Sequence, residues 1–205
     1  MTRGAKIVLA SAGLVAVGAG VALDRFLAHG VSARDAPTTI EALVARRLRH
    51  LAVPRSQRDA KNPVPLTPEV LASARAHFAD HCASCHGNDG RGQTKIGQNL
   101  YPKAPDMTLA GTQDLSDGEV FSIIENGIRL TGMPAWGKPG PEDDADTWEL
   151  VHFIRSLSKL TETELREMES LNPRSPKEIE EELQMKRFLE GGDVSAAPPP
   201  QHKKH

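Results

Sequence analysis

Cysteine is nearly absent from this chain. Two occur in 205 residues, and both sit in one pentapeptide, Cys82-Ala83-Ser84-Cys85-His86. With no second Cys pair, a zinc site lacks two ligands at coordinated spacing. Aromatic residues are also scarce, at 4%. None falls in the basic stretch 41–61, where Arg46, Arg47, Arg49, Arg55, Arg58 and Lys61 face Glu41 and Asp59. A short basic run without stacking residues speaks against nucleic acid as a partner. Charge of either sign is missing from one long run, Ile7 to Leu23, and nowhere else for so long. The net charge of −2 says nothing about partners as a total, and no feature signals an oligomeric state.

What is present in the cysteine pentapeptide is more specific than what is missing. Two cysteines three apart, followed at once by histidine, form the attachment signature of a c-type haem. On a helical turn, positions i and i+3 share a face, so both thiols can reach the two vinyl groups of one porphyrin. His86 can then turn its imidazole under the iron as proximal ligand. The rival readings explain less. A thioredoxin-like pair needs a strand–turn–helix setting, whereas helical, alanine-rich sequence precedes this motif. A structural disulfide leaves His86 without a role.

A proximal histidine raises the question of the sixth ligand. Met107, Met133, Met168, Met185 and His152 are the candidates downstream. Met133 lies in Asn126-Gly127-Ile128-Arg129-Leu130-Thr131-Gly132-Met133-Pro134-Ala135-Trp136-Gly137, a loop punctuated by glycine with proline directly after the methionine. Gly132 allows close approach of the backbone to a porphyrin, and Pro134 fixes the chain direction. Met107 reads as a packing residue against the haem edge. Met168 and Met185 fall in charged helical sequence, too polar for haem ligands. Met133 is the expected axial ligand.

The core follows the same order. Thr67-Pro68-Glu69 opens a helix with an N-cap, a proline at N1 and an acid in the first turn. Val70, Leu71, Ala74 and Phe78 recur at helical spacing up to the cysteines. Ser116 with Glu119 is a capping-box pattern for a middle helix carrying Val120, Phe121, Ile123, Ile124 and Ile128. A last helix, from about Asp143 to Leu157, carries Trp148, Leu150, Val151, Phe153 and Ile154.

With these residues in place, residues 67–160 resemble a class I cytochrome c domain. The resemblance implies an all-α fold in which the first and last helices cross, with Phe78 meeting Leu150 and Phe153. It implies one covalent haem c, held by Cys82 and Cys85, with His86 and Met133 as axial ligands. It also implies that the carbonyl of Pro105 accepts a hydrogen bond from the second nitrogen of the proximal imidazole, with Pro102 as competitor. Such a bond fixes the tautomer and tunes ligand basicity. A module of about 95 residues has a modest core, and a buried haem adds to it.

The flanking segments divide as follows: 1–24, a membrane anchor or signal segment; 25–66, a basic, proline-containing linker; 161–190, a charged helical extension; 191–205, a tail without packing residues. Arg3 and Lys6 precede the uncharged run, whose 17 residues sit at the lower limit of a spanning helix and above a usual signal h-region. Asp24-Arg25 looks like the end of a span, and Val31-Ser32-Ala33 like a distant cleavage site. An uncleaved anchor is preferred to a removed signal, although Arg25 and Arg34 on the exported side obey the positive-inside rule only weakly. In the linker, Ile40, Leu43, Val44, Leu48 and Leu51 fall near helical spacing. Two readings stand level: a helix on the anionic lipid surface, or one packed on the domain or serving as spacer. Pro54, Pro63, Pro65 and Pro68 suggest a stiff approach. In the extension, Ser175-Pro176-Lys177-Glu178 should open a helix with a thin stripe of Ile179, Leu183, Phe188 and Leu189. A solvated extension folded along the domain is preferred to a docking arm. His202 and His205 in the tail make a poor metal site.

Residues 67–160 hold 13 acids against 8 Lys and Arg, so the expected partners are redox proteins with a basic docking surface. The resemblance places the haem on the periplasmic or outer face of a bacterial cytoplasmic membrane. The expected role is single-electron transfer with no vacant iron site and hence no catalysis. The alternatives are a haem subunit of a larger membrane oxidoreductase, and a gas sensor or peroxidase if Met133 is labile.

Overall fold

The computed structural model describes residues 2–29, 32–137 and 144–190, and every regular element among them is helical. Val31 of the cleavage-like tripeptide, Asp143 at the expected start of the last core helix, and the tail with His202 and His205 lie outside the described residues.

The first helix, α1 (Arg3–His29), runs through Asp24-Arg25 instead of stopping there. Its segment Arg3–Ala28 is long and apolar enough to cross a membrane, and none of it is buried against the rest of the chain. At about 1.5 Å per residue it measures roughly 39 Å, against about 30 Å for a bilayer's hydrocarbon core. The charge-free stretch alone falls short of that length because it omits the flanking turns.

A helix α2 (Thr39–Ala52) follows, closed by a capping box between Thr38 and Glu41. After a short α3 (Arg55–Arg58), the proline-rich approach does not stand free. Asn62 Nδ2 donates to the Trp148 carbonyl at 2.8 Å, His152 Nε2 to the Val64 carbonyl at 2.8 Å, and Ser116 Oγ to the Arg58 carbonyl at 2.7 Å. The linker is thus strapped onto the domain by polar bonds that a reading of apolar periodicity does not register.

The core forms where α4 (Pro68–His77) meets α8 (Ala145–Ser156). Thr67 caps α4 through the Val70 amide, as its sequence predicts. Phe78 and Phe153 pack with ring centroids 5.0 Å apart, among the buried Ala74, Leu150, Val151 and Ile154. This is the crossing of first and last domain helices that the resemblance implies. The middle helix α7 (Asp117–Asn126) has the expected Ser116–Glu119 capping box and stacks Phe121 on Trp148 at 4.2 Å. Between these lie a short α5 (Ala83–His86) and α6 (Ala110–Gln113). Arg155 locks the region before α7 to α8, donating to the carbonyls of Gln113 and Leu115 and to the Asp117 carboxylate.

The packed core runs past residue 160. In α9 (Glu162–Glu169) Met168 is fully buried in the same cluster, and Arg75 of α4 pairs with Glu164 at 2.9 Å and Glu167 at 3.1 Å. A lone buried residue in two turns of glutamate-rich helix makes no stripe, so the sequence pattern shows only its charge. The last described helix, α10 (Pro176–Leu189), starts at the Ser175 capping box as expected but buries none of its residues. The extension therefore folds along the domain in α9 and not in α10.

Candidate functional site

Helix α4 continues into a five-residue π-helical turn, Phe78–Cys82, and then into α5. One wide turn shifts the register of the faces, a feature often found beside functional sites. Here it buries Phe78 and Ala79 in the core while Cys82, Cys85 and His86 line a cleft on the other side. Gly87, with φ of 74°, ends α5 and turns the chain beneath the motif. The loop that follows is bound to the motif's backbone. Thr94 Oγ1 donates to the Cys85 carbonyl at 3.0 Å, and the Gly92 amide donates to the His86 carbonyl at 2.6 Å.

The facing wall comes from the Gly-Met-Pro loop. The Trp136 amide donates to the Ile124 carbonyl at 3.0 Å, and the Ile128 amide to the Met133 carbonyl at 3.1 Å, so the loop closes on itself and on the end of α7. Gly127 makes this closure possible. Its φ is 62°, and a Cβ there would stand 2.7 Å from the Met133 carbonyl oxygen. Gly132 instead approaches the side chain of Leu100.

These segments form an open-sided cleft lined by Cys82, Cys85, His86, Met133 and Pro105, with Leu100, Pro102, Ile128 and Pro134 making it chiefly apolar. All five residues singled out from the sequence therefore share one space. Other candidates lie elsewhere. Met107 is buried in the core and does not reach the cleft, Met168 packs in the core, Met185 is exposed on α10, and His152 is engaged with the linker at Val64.

The expected bond from His86 to Pro105 is not made. The Nδ1 atom of His86 is buried and has no hydrogen-bond partner, while the Pro105 carbonyl lies beside Gly92. Two residues of the cleft that the sequence reading did not single out are Leu100 and His81. His81 packs edge-on against Trp136 at 5.4 Å and pairs with Asp80 at 3.1 Å. Its position directly before Cys82 was the available signal.

The electrostatics suit a covalent haem and not a reactive dithiol. Burial, and then the proximity of Cys85, push the Cys82 thiol up to about 12, so it is protonated at neutral pH and is not a thiolate nucleophile. Burial lowers the pKa of His86, which favours the neutral imidazole that a metal requires. No disulfide joins Cys82 to Cys85. Among the described residues no group of three or more His, Cys, Asp and Glu side chains gathers as a metal site would demand. An apolar cleft with two thiols, a neutral imidazole and a thioether fits haem c.

Comparison with known proteins agrees. Residues 69–154 match the family described as cytochrome c oxidase, cbb3-type, subunit III. A thiosulfate dehydrogenase of Stutzerimonas stutzeri is 31% identical over 88 residues, which cover 42% of this chain and 27% of that protein. The cbb3-type cytochrome c oxidase subunit CcoP of Azospirillum brasilense is 27% identical over 100 residues, 44% of this chain and 32% of the relative. Subunit FixPc of Rhizobium leguminosarum bv. viciae is 33% identical over 94 residues, 45% and 30% respectively. The chain thus matches less than a third of the length of each of these relatives. Within those bounds, residues 69–154 match a c-type cytochrome domain, carried here behind an apolar N-terminal helix in a chain whose described elements are all helical.

Proposed function

We propose that the chain is a membrane-anchored electron-transfer protein that carries one haem c and passes single electrons between redox partners. The observation that carries this reading is the meeting of Cys82, Cys85, His86 and Met133 in one apolar cleft, although motif and loop are far apart in sequence. Cys82 and Cys85 would hold the porphyrin by thioethers, and His86 and Met133 would take the two axial positions. When bound, the haem supplies a one-electron redox couple. The protein's part is to exclude water with Leu100, Ile128 and the prolines, to hold the thioether in place through the loop bonds around Gly127, and to keep His86 neutral. A thioether opposite histidine raises the reduction potential, and an apolar surround tunes it further. If His86 and Met133 both serve as ligands, the iron would offer no open position to a substrate.

The acidic balance of residues 67–160 favours partners that dock with a basic surface, with association weakening as salt rises. In this reading the apolar α1 anchors the chain in the cytoplasmic membrane with the domain on its outer face, which the length and hydropathy of α1 support. A second reading is that the chain is the haem subunit of a larger oxidoreductase. The relatives named as oxidase subunits favour it, as do the exposed Ile179, Leu183 and Phe188 of α10. Stoichiometric co-purification of a membrane partner would select it over a freely docking carrier.

The test is the optical spectrum of the haem-loaded chain, wild type against Met133→Ala. The oxidised wild type should show the weak sulfur-to-iron band at the red edge of the visible, and the variant should lose it. A band that is absent, or that survives the substitution, removes Met133 as ligand. A ferrous wild-type spectrum that shifts with carbon monoxide would turn the reading toward a sensor or peroxidase.

A further inference from the structure

Helix α2 is turned the wrong way for a helix packed on a domain. Its charged side meets the protein. His50 Nδ1 donates to Glu119 at 2.7 Å, Arg58 donates to His50 Nε2 at 2.6 Å, and Tyr101 donates to Glu41 at 3.3 Å. Ala42 and Arg49 are the two residues of the helix that are not exposed. At about 100° per residue, they lie opposite an arc formed by Leu43, Ile40, Leu51, Val44 and Leu48. Those five apolar side chains are 50% to 75% exposed. No other described segment covers them.

We propose that this face of α2 lies in the headgroup region of an anionic lipid bilayer and holds the haem domain against the membrane. The proposal rests on the reading of α1 as a membrane span. From that reading the reach follows: α1 ends at His29 and α2 begins at Thr39, and nine intervening residues extend at most about 32 Å. Helix α2 therefore cannot leave the neighbourhood of the bilayer surface. Its charge matches that surface. Arg46 and Arg47 are exposed, Arg47 within the apolar arc, where a long aliphatic stem can bury while the guanidinium reaches phosphate. The one acid of the helix, Glu41, is committed to the cap and to Tyr101. A protein partner fits less well, because a stable interface takes about 20–30 residues a side and α2 has 14 in all.

The consequence is orientation. Tyr101 sits between Leu100 and Pro102, both of which line the cleft. Its bond to Glu41 ties that rim of the cleft to the interfacial helix, so the cleft keeps a fixed attitude to the membrane plane.

The experiment uses the full haem-loaded chain in vesicles of phosphatidylcholine with phosphatidylglycerol. Single cysteines are introduced as Ile40→Cys, Val44→Cys and Leu48→Cys, with the exposed Ala45→Cys outside the arc and Val15→Cys within α1. The rate of reaction with a membrane-impermeant maleimide is measured for each. The expected result is several-fold slower reaction at residues 40, 44 and 48 than at residue 45, with less protection in vesicles of phosphatidylcholine alone. Equal rates at the α2 positions with an unreactive residue 15 would overturn the interfacial helix and leave the span intact. A reactive residue 15 would overturn the span itself. Protection accompanied by oxidative cross-linking of Val44→Cys between chains would assign the face to a second copy and overturn the lipid.

Discussion

Met168 offers the sharpest test of where the domain ends. It is fully buried in the core, although it belongs to a glutamate-rich helix beyond the region that resembles a cytochrome. Substituting Met168→Ala removes the thioether and leaves a cavity that the crossing of α4 and α8 cannot readily fill. Buried Met→Ala changes cost about 2–5 kcal/mol. For a domain of this size each kcal/mol lowers the melting temperature by about 4–8 °C, so a fall of roughly ten degrees or more is expected. The control is Met185→Ala on α10, a side chain that is 59% exposed, where the change should stay within about 0.5 kcal/mol. Guanidinium titration of the haem-loaded chain in detergent, followed by the fluorescence of Trp136 and Trp148, reads the domain and not α1. If Met168→Ala costs no more than Met185→Ala, then α9 is not part of the core and the extended boundary fails.

Arg155→Lys should destabilise the domain by about 1.5–3 kcal/mol in the same titration, because an ammonium cannot reproduce the fork that serves two carbonyls and the Asp117 carboxylate. The Glu164 carboxyl is held below its ordinary range by the Thr161 amide, then by the Thr161 hydroxyl, with Arg75 adding to both. Its contribution is therefore complete above the unfolded carboxylate pKa and lost as pH falls through the lower folded value. Glu164→Gln should lower the denaturation midpoint at pH 7 more than at acid pH, and a difference that does not shrink on acidification would refute this account.

The haem pentapeptide, the Met133 loop and the caps at Thr67, Ser116 and Ser175 could be read directly, because each is a short-range pattern. A cap joins residues three apart, and a thiol pair serves one porphyrin from one turn of helix. Met168 and the straps from Asn62 and His152 could not. Each is a single residue whose partner is remote in sequence, and no periodicity announces it. His81 and Trp136 meet only because the cysteine motif and the methionine loop face one another across the cleft.

Local chemistry alone determined that this chain carries one Cys-x-x-Cys-His signature, helix-forming sequence around it and an apolar segment ahead of it. Tertiary structure decided that α9 belongs to the core, and which face of α2 is turned outward. An apolar stripe states that a helix has a side to cover. Whether protein or lipid covers it depends on which of its two faces the domain engages, and here the His50–Glu119 and Tyr101–Glu41 bonds take the polar one.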